Sequence, residues 1–353
     1  MEYEARRFVL FRGSLRDCQR KSMCARALYG HDALMGKLIE GHWTEQKVAT
    51  NDKGHFVRED TTFHGRVTAD GSSGFRAEAG RYHLYVSLAC PWAHRTLVAR
   101  ELKGLQDAIS ISVVHPHMGD NGWEFAEFPG ATPDALHGAR YLHEVYTRAR
   151  ADYTGRVTVP VLWDKQTASI VCNESRLVMR MLDREFEAFS TTHLDLCPPE
   201  LTSEIDAEID ALYGPVNNGV YRAGFAVKQS AYEGALRELF AALDGYEARL
   251  GKQRFLLGAR LTEADICLFT TLLRFDPVYH YHFKCNLSRL RDYPALYGFL
   301  RDVYQTAGVR NTCNLEHVKH HYYTSHPTIN PNRIVPLGPP LDLLEPHERD
   351  ALG

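Results

Sequence analysis

The stretch from residue 82 to residue 105 constrains the fold most, because an apolar run, Tyr82 to Leu88, passes through Ala89 and Cys90 into a helical pattern beginning at Pro91. Residues 82–88 read as a strand and residues 91–105 as a helix. Proline suits the first helical position: its fixed φ matches the helix, and the amide it lacks would have had no partner there. A cysteine just before such a helix faces unpaired amides and the positive end of the helix dipole, both of which favour negative charge on sulfur. Cysteines so placed have pKa values lowered from about 8.5 into a range of roughly 3.5 to 7.5. A lowered pKa is therefore expected at Cys90. Ala93 stands where a CxxC motif would place its second cysteine, so Cys90 has no local resolving thiol and needs an external one.

Around this junction, strands and helices alternate. Ile109 to Val114 reads as a second strand and residues 139–150 as a helix. The short apolar runs Val159 to Trp163 and Ala168 to Cys172 flank Asp164 to Thr167, a hairpin signal. Residues 174–186 close the unit as an amphipathic helix. The order βαβαββα predicts a thioredoxin-like domain over residues 81–190. After a linker at 191–200, residues 201–323 are helical almost throughout, with apolar residues three and four apart. Thr262 and Asp265 are placed to form a capping box before Ile266 to Phe269. The proline-rich stretch 324–353 is expected to run over the surface.

The formal net charge of -3 gives no electrostatic reason to expect nucleic acid or an anionic membrane as partner. No apolar run approaches the roughly 18 residues of a membrane span. The charged start carries no secretory apolar region, so the expected location is cytoplasmic. Eight cysteines (18, 24, 90, 172, 197, 267, 285 and 313) lack the spacing of a disulfide framework and are expected to be reduced. His317, His320 and His321 could share a helix face, but no HExxH spacing accompanies them; packing or solvation is the better reading, and no metal is expected.

Several motifs occur in one order: Cys90 to Arg95, Gly122 with Trp123, Arg156 to Pro160, Asn173 to Ser175, Asn217 to Tyr221, Arg274 to Tyr279, His282 to Asn286, and His317 to Tyr323. Together they resemble the glutathionyl-hydroquinone reductases, the Xi class of glutathione transferases, over roughly residues 35–338. The resemblance implies a thioredoxin-like N-terminal domain followed by an all-α C-terminal domain, and a homodimer made through the helical half. The external thiol that Cys90 needs is then glutathione, a co-substrate rather than a bound cofactor. Cys90 resembles the family's nucleophile, which attacks the sulfur of a glutathionylated hydroquinone, and Tyr221 its proton donor and acceptor. Tyr279 and Tyr322 match tyrosines that bind substrate and lower the cysteine pKa. Trp123, Arg156, Val157, Thr158, Val159, Glu174 and Ser175 match the glutathione-binding positions, and Val159-Pro160 the cis-proline turn. Met35 to Trp43 resembles the usual family start, so residues 35–80 form an arm and residues 1–34 are expected to be a disordered extension. Two alternatives share part of this pattern: an omega-like thioltransferase or dehydroascorbate reductase, and a non-catalytic glutathione-fold binding module.

Overall fold

The computed structural model describes residues 36–46 and 49–352, so the extension expected over residues 1–34 lies outside the described residues. A four-stranded sheet organises the first half. Its strands are β3 (Tyr82–Val86), β4 (Ser110–Val113), β6 (Val161–Asp164) and β7 (Ser169–Cys172), in the order β4-β3-β6-β7. β3 runs parallel to β4 and antiparallel to β6, and β6 and β7 form the expected hairpin. Every residue of β3 and β6 is buried, as befits central strands covered on both faces. The helices are α1 (Pro91–Leu102), α2 (Leu142–Ala149) and α3 (Ser175–Arg184), which completes the βαβαββα order read from the sequence.

The arm before this unit has a structural role. Its strands β1 (Lys37–Ile39) and β2 (His42–Thr44) pair antiparallel, and β1 also pairs with β5 (Gly155–Arg156), placing Lys37 opposite Arg156. Trp43 of the arm donates from Nε1 to Asp120 O at 2.8 Å and lies against Gly122. That position has φ +77°, and a Cβ there would sit 2.8 Å from the indole. Only glycine meets both conditions.

The helical half comprises α4 (Thr202–Leu212), α5 (Gly219–Gly224), α6 (Gln229–Leu250), α7 (Glu263–Leu272), α8 (Pro294–Gln305) and α9 (Leu315–Ser325), with π-helical turns at Tyr213–Asn217 and Phe275–Tyr279. α6 buries Ala235, Leu239, Leu243, Tyr246 and Leu250, a stripe at three- and four-residue spacing. α7 is buried along its whole length and is the core of this half. Two boundaries differ from the sequence reading. Residues 191–200 are not a free linker: Leu196 and Cys197 are fully buried, and Thr192 Oγ1 donates to Leu102 O at 2.6 Å. α9 continues to Ser325 and His326 is buried beside it, so the surface tail starts after 326. Arg349 pins that tail by donating to the carbonyls of Leu250, Gln253 and Arg254. Among the described residues, no helix is long and apolar enough to cross a membrane.

The capping box is present and reaches further than its sequence signature. Asp265 accepts from Thr262 N and Thr262 Oγ1 through Oδ2 and from Leu256 N through Oδ1, all at 2.8 Å. Asp265→Ala therefore removes a cap and strands a buried amide of the preceding turn. The expected loss is about 2 to 4 kcal/mol, a cap contributing about 1 kcal/mol and a stranded donor about 1 to 3. Denaturant unfolding measures it; a change below about 0.5 kcal/mol, typical of surface substitutions, would contradict this account.

Candidate active site

Cys90 occupies the N-cap of α1 with φ -77° and ψ 122°, as the strand, cysteine and proline order predicts. Its carbonyl accepts from His94 N at 2.9 Å, and its thiol donates to Val159 O at 3.7 Å. The Val159-Pro160 peptide is cis. Burial pushes the Cys90 thiol up and outweighs the amides of Ala93 and Trp92 and the positive charges of Arg274 and Arg58, all of which pull it down. The lowered pKa expected from the helix start is thus corrected. The amides are in place, but the sulfur has lost more solvation than they return.

A cavity of about 800 Å³ adjoins this turn through Trp92, Val159 and Pro160. Of the expected glutathione-binding positions, Arg156, Thr158, Val159, Glu174 and Ser175 line it. Val157 is not among its lining residues. Neither is Trp123, which is buried and stacks on His321 with ring centroids 4.8 Å apart. Glu174 is the N-cap of α3: its Oε1 accepts from Arg176 N at 3.2 Å and its Oε2 from Thr61 Oγ1 at 3.3 Å. Tyr146 OH donates to Thr158 O at 2.8 Å and fixes the segment before the cis bond. Arg156 is pulled down to about 10, chiefly by burial and then by neighbouring Arg58. Guanidinium and carboxylate groups lining one cavity suit a ligand carrying both carboxylates and an ammonium group.

Tyr221, Tyr279 and Tyr322 converge from three elements. Tyr221 lies on α5, Tyr279 ends the second π-helical turn and Tyr322 lies on α9. Tyr322 OH is 2.5 Å from Tyr221 OH and 3.1 Å from Tyr279 OH, so it is the middle member of a hydroxyl chain. Burial pushes all three phenols up, and Cys90 adds to the rise at Tyr221. The triad is therefore neutral and carries protons at neutral pH. Among the described residues, neither Tyr279 nor Tyr322 hydrogen-bonds the sulfur, and their hydroxyls bond within the triad instead.

Sequence reasoning missed Arg58. It comes from the arm, lines the cavity, donates from Nε to Asn218 Oδ1 at 2.9 Å, and lies over the rings of Trp92 and Tyr221 at 4.9 and 5.0 Å. A lone arginine in an irregular stretch gives no periodic signal. Asn217 of the first π-helical turn accepts from Arg95 Nη2 at 2.8 Å and donates to Cys267 O at 2.9 Å, tying α1 to α7. Such π turns recur at functional sites because they turn a side chain out of helical register.

Comparison with known proteins agrees with this architecture. The family described as glutathione S-transferase, N-terminal domain, matches residues 89–185, and glutathione S-transferase, C-terminal domain, matches residues 229–302. The glutathionyl-hydroquinone reductase YqjG of Escherichia coli (strain K12) is 51% identical over 325 residues, which cover 90% of this chain and 99% of the relative. The glutathionyl-hydroquinone reductase PcpF of Sphingobium chlorophenolicum is 49% identical over 306 residues, 86% of this chain and 96% of the relative. Among solved structures, a Xi class transferase from Natrialba magadii superposes with a TM-score of 0.86 at 51% identity, covering 92% of this chain and 99% of the other. The glutathione-bound structure of YqjG gives 0.83 at 50% identity, with 89% and 99% covered. With half of its residues shared over nine-tenths of its length, the chain belongs to the glutathionyl-hydroquinone reductases, the Xi class of glutathione transferases.

Proposed function

We propose that this protein removes glutathione reductively from glutathionylated hydroquinones. The observation that carries the reading is the junction of three features: a helix-capping cysteine beside the cis-proline turn, a cavity walled by guanidinium and carboxylate groups, and a buried chain of three phenols. The Cys90 thiolate attacks the glutathionyl sulfur of the substrate. As the bond between sulfur and the ring carbon breaks, the bonding pair goes to carbon, which takes a proton from Tyr221, and Tyr322 and Tyr279 relay a replacement along the hydroxyl chain. Hydroquinone leaves and Cys90 holds glutathione as a mixed disulfide. A second glutathione attacks that disulfide, and oxidised glutathione leaves with Cys90 restored as thiolate. The net reaction turns one conjugate and one glutathione into hydroquinone and oxidised glutathione.

Glutathione lies in the 800 Å³ cavity, with Arg156 on a carboxylate, Glu174 on the ammonium and Val159 offering its backbone to the cysteinyl part. Trp123 acts through His321 and α9 rather than from the cavity wall. The protein acts in the cytoplasm as a homodimer formed through the helical half. Mass spectrometry of a mixture of enzyme, glutathione and a glutathionyl-hydroquinone tests the reaction. Free hydroquinone with one oxidised glutathione per turnover is expected, and a glutathione adduct on Cys90 should be trapped when glutathione is limiting. Conversion without that adduct would point to direct attack by glutathione, and no conversion would leave only a binding role.

A further inference from the structure

Arg274 is fully buried and sits between α7 and the π-helical turn that carries Tyr279. Among the described residues, its hydrogen bonds all go to neutral acceptors. Nε donates to Ala89 O at 2.8 Å, Nη2 to Leu88 O at 3.1 Å, and Nη1 to Thr270 O at 2.7 Å and His94 Nδ1 at 3.2 Å. Among the described residues no carboxylate pairs with it. A lone buried cation is costly, and proteins ordinarily provide a counter-ion. The two carbonyls it grips belong to the residues immediately before Cys90. An arginine only donates, so His94 Nδ1 accepts and His94 Nε2 carries the proton, which it gives to Thr312 Oγ1 at 2.8 Å. Thr312 in turn donates to Val309 O at 2.7 Å. One guanidinium thus fixes the turn leading into Cys90 and the first turn of α1 against the helical half.

We propose that Arg274 is a positioning residue for the thiol chemistry: it clamps the Leu88 to Cys90 turn, and the negative charge that forms on the Cys90 sulfur is its counter-ion. This rests on Cys90 being the nucleophile. The ionisation of the sulfur itself is the readout, so the two ideas fail separately. The other groups that act on the sulfur are Arg58 from the arm, the Trp92 and Ala93 amides of α1, and the Tyr221 phenol of α5. The groups facing Arg274 are His94, His321, Cys313, Tyr279 and Tyr322; burial raises the thiol and the phenols and lowers the histidines, so all five are neutral. None of them can serve as its anion at neutral pH.

The test follows Cys90 by thiolate absorbance against pH in wild type, Arg274→Gln and Arg274→Lys. Arg274→Gln should move the titration upward by about one pH unit or more, and alkylation of Cys90 by iodoacetamide at pH 7 should slow about tenfold. Arg274→Lys restores the charge without the fork, so the titration should return at least halfway while kcat stays low. A folded Arg274→Gln variant that titrates as wild type does overturns the proposal. If neither variant folds, the ¹⁵Nε resonance of Arg274 in the wild-type protein decides: it should follow the Cys90 titration and lose that step in Cys90→Ala. A resonance unmoved across the Cys90 titration is equally fatal to the idea.

Discussion

Cys90→Ala is expected to lower turnover of a glutathionyl-hydroquinone by at least about a thousandfold, the scale on which covalent enzymes respond to losing their nucleophile. No other thiol among the described residues can replace it. Cys172, Cys267, Cys285 and Cys197 are buried, and burial pushes each thiol up, Cys172 to about 12 and Cys267 to about 11. Cys313 is partly exposed, but burial of its sulfur drives it up to about 12, and that sulfur is engaged with Val309 O and Thr312. Cys90→Ser keeps the geometry but supplies an alcohol, a far weaker nucleophile at neutral pH, and should be nearly as inactive. Glutathione affinity should change little, since the cavity walls do not include the sulfur. Turnover by either variant above a few per cent of wild type would end the mixed-disulfide mechanism. Tyr221→Phe separates the half-reactions: protonation of the ring carbon should slow by about 10² to 10⁴. Discharge of the mixed disulfide, which protonates no carbon, should be affected less. Single-turnover measurement of hydroquinone release against oxidised glutathione release resolves the two steps.

The parts of this site that are legible in the sequence are those whose partners lie close along the chain. The N-cap position of Cys90 follows from the strand, cysteine and Pro91 order, and the capping box from Thr262 and Asp265 alone. The tyrosine chain is different in kind. Tyr221, Tyr279 and Tyr322 are three of 18 tyrosines, and their hydroxyls meet only because α5, the second π-helical turn and α9 converge. No local pattern encodes that, and only resemblance to a family singled them out. Arg274 lies within a motif, but its acceptors Leu88 and Ala89 are 186 and 185 residues away. The Cys90 pKa shows the limit most sharply. Sequence reveals the helix amides that favour a thiolate, whereas the burial that opposes them is a property of the assembled fold.

Acidification from pH 7 to pH 5 is expected to remove several kcal/mol of stability, because the fold buries neutral histidines. Burial lowers His83 and His282 to about 4 and His321 to about 3, and it also lowers His94 and His326 well below their usual range. Each is held as a neutral ring: His83 lies between Ser110 Oγ at 2.7 Å and Ser112 Oγ at 3.0 Å, and His282 shares a proton with His326 across 3.1 Å. A histidine whose folded pKa is depressed contributes full stability above its unfolded value of about 6.5 and loses it as pH falls toward the folded value. At pH 5, a ring that titrates near 4 when folded costs about 2 kcal/mol relative to neutral pH. Three carboxylates among the described residues act in the opposite sense. Burial raises Glu263 to about 7 and Asp265 to about 6, so the fold gains roughly 2 and 1.5 kcal/mol from their protonation between pH 7 and pH 5, and burial raises Asp183 as well. The five histidines outweigh these three carboxylates, and the net loss is large against a typical total of about 5 to 15 kcal/mol. Urea midpoints measured every half unit between pH 8 and pH 5 should hold steady above about 6.5 and then fall continuously. His83→Gln, which keeps a polar side chain between the two serines, should lessen the fall between pH 7 and pH 5 by about 2 kcal/mol. A flat stability profile over that interval would mean that the buried rings accept protons in the folded protein, and the neutral state assigned to them here would then be wrong.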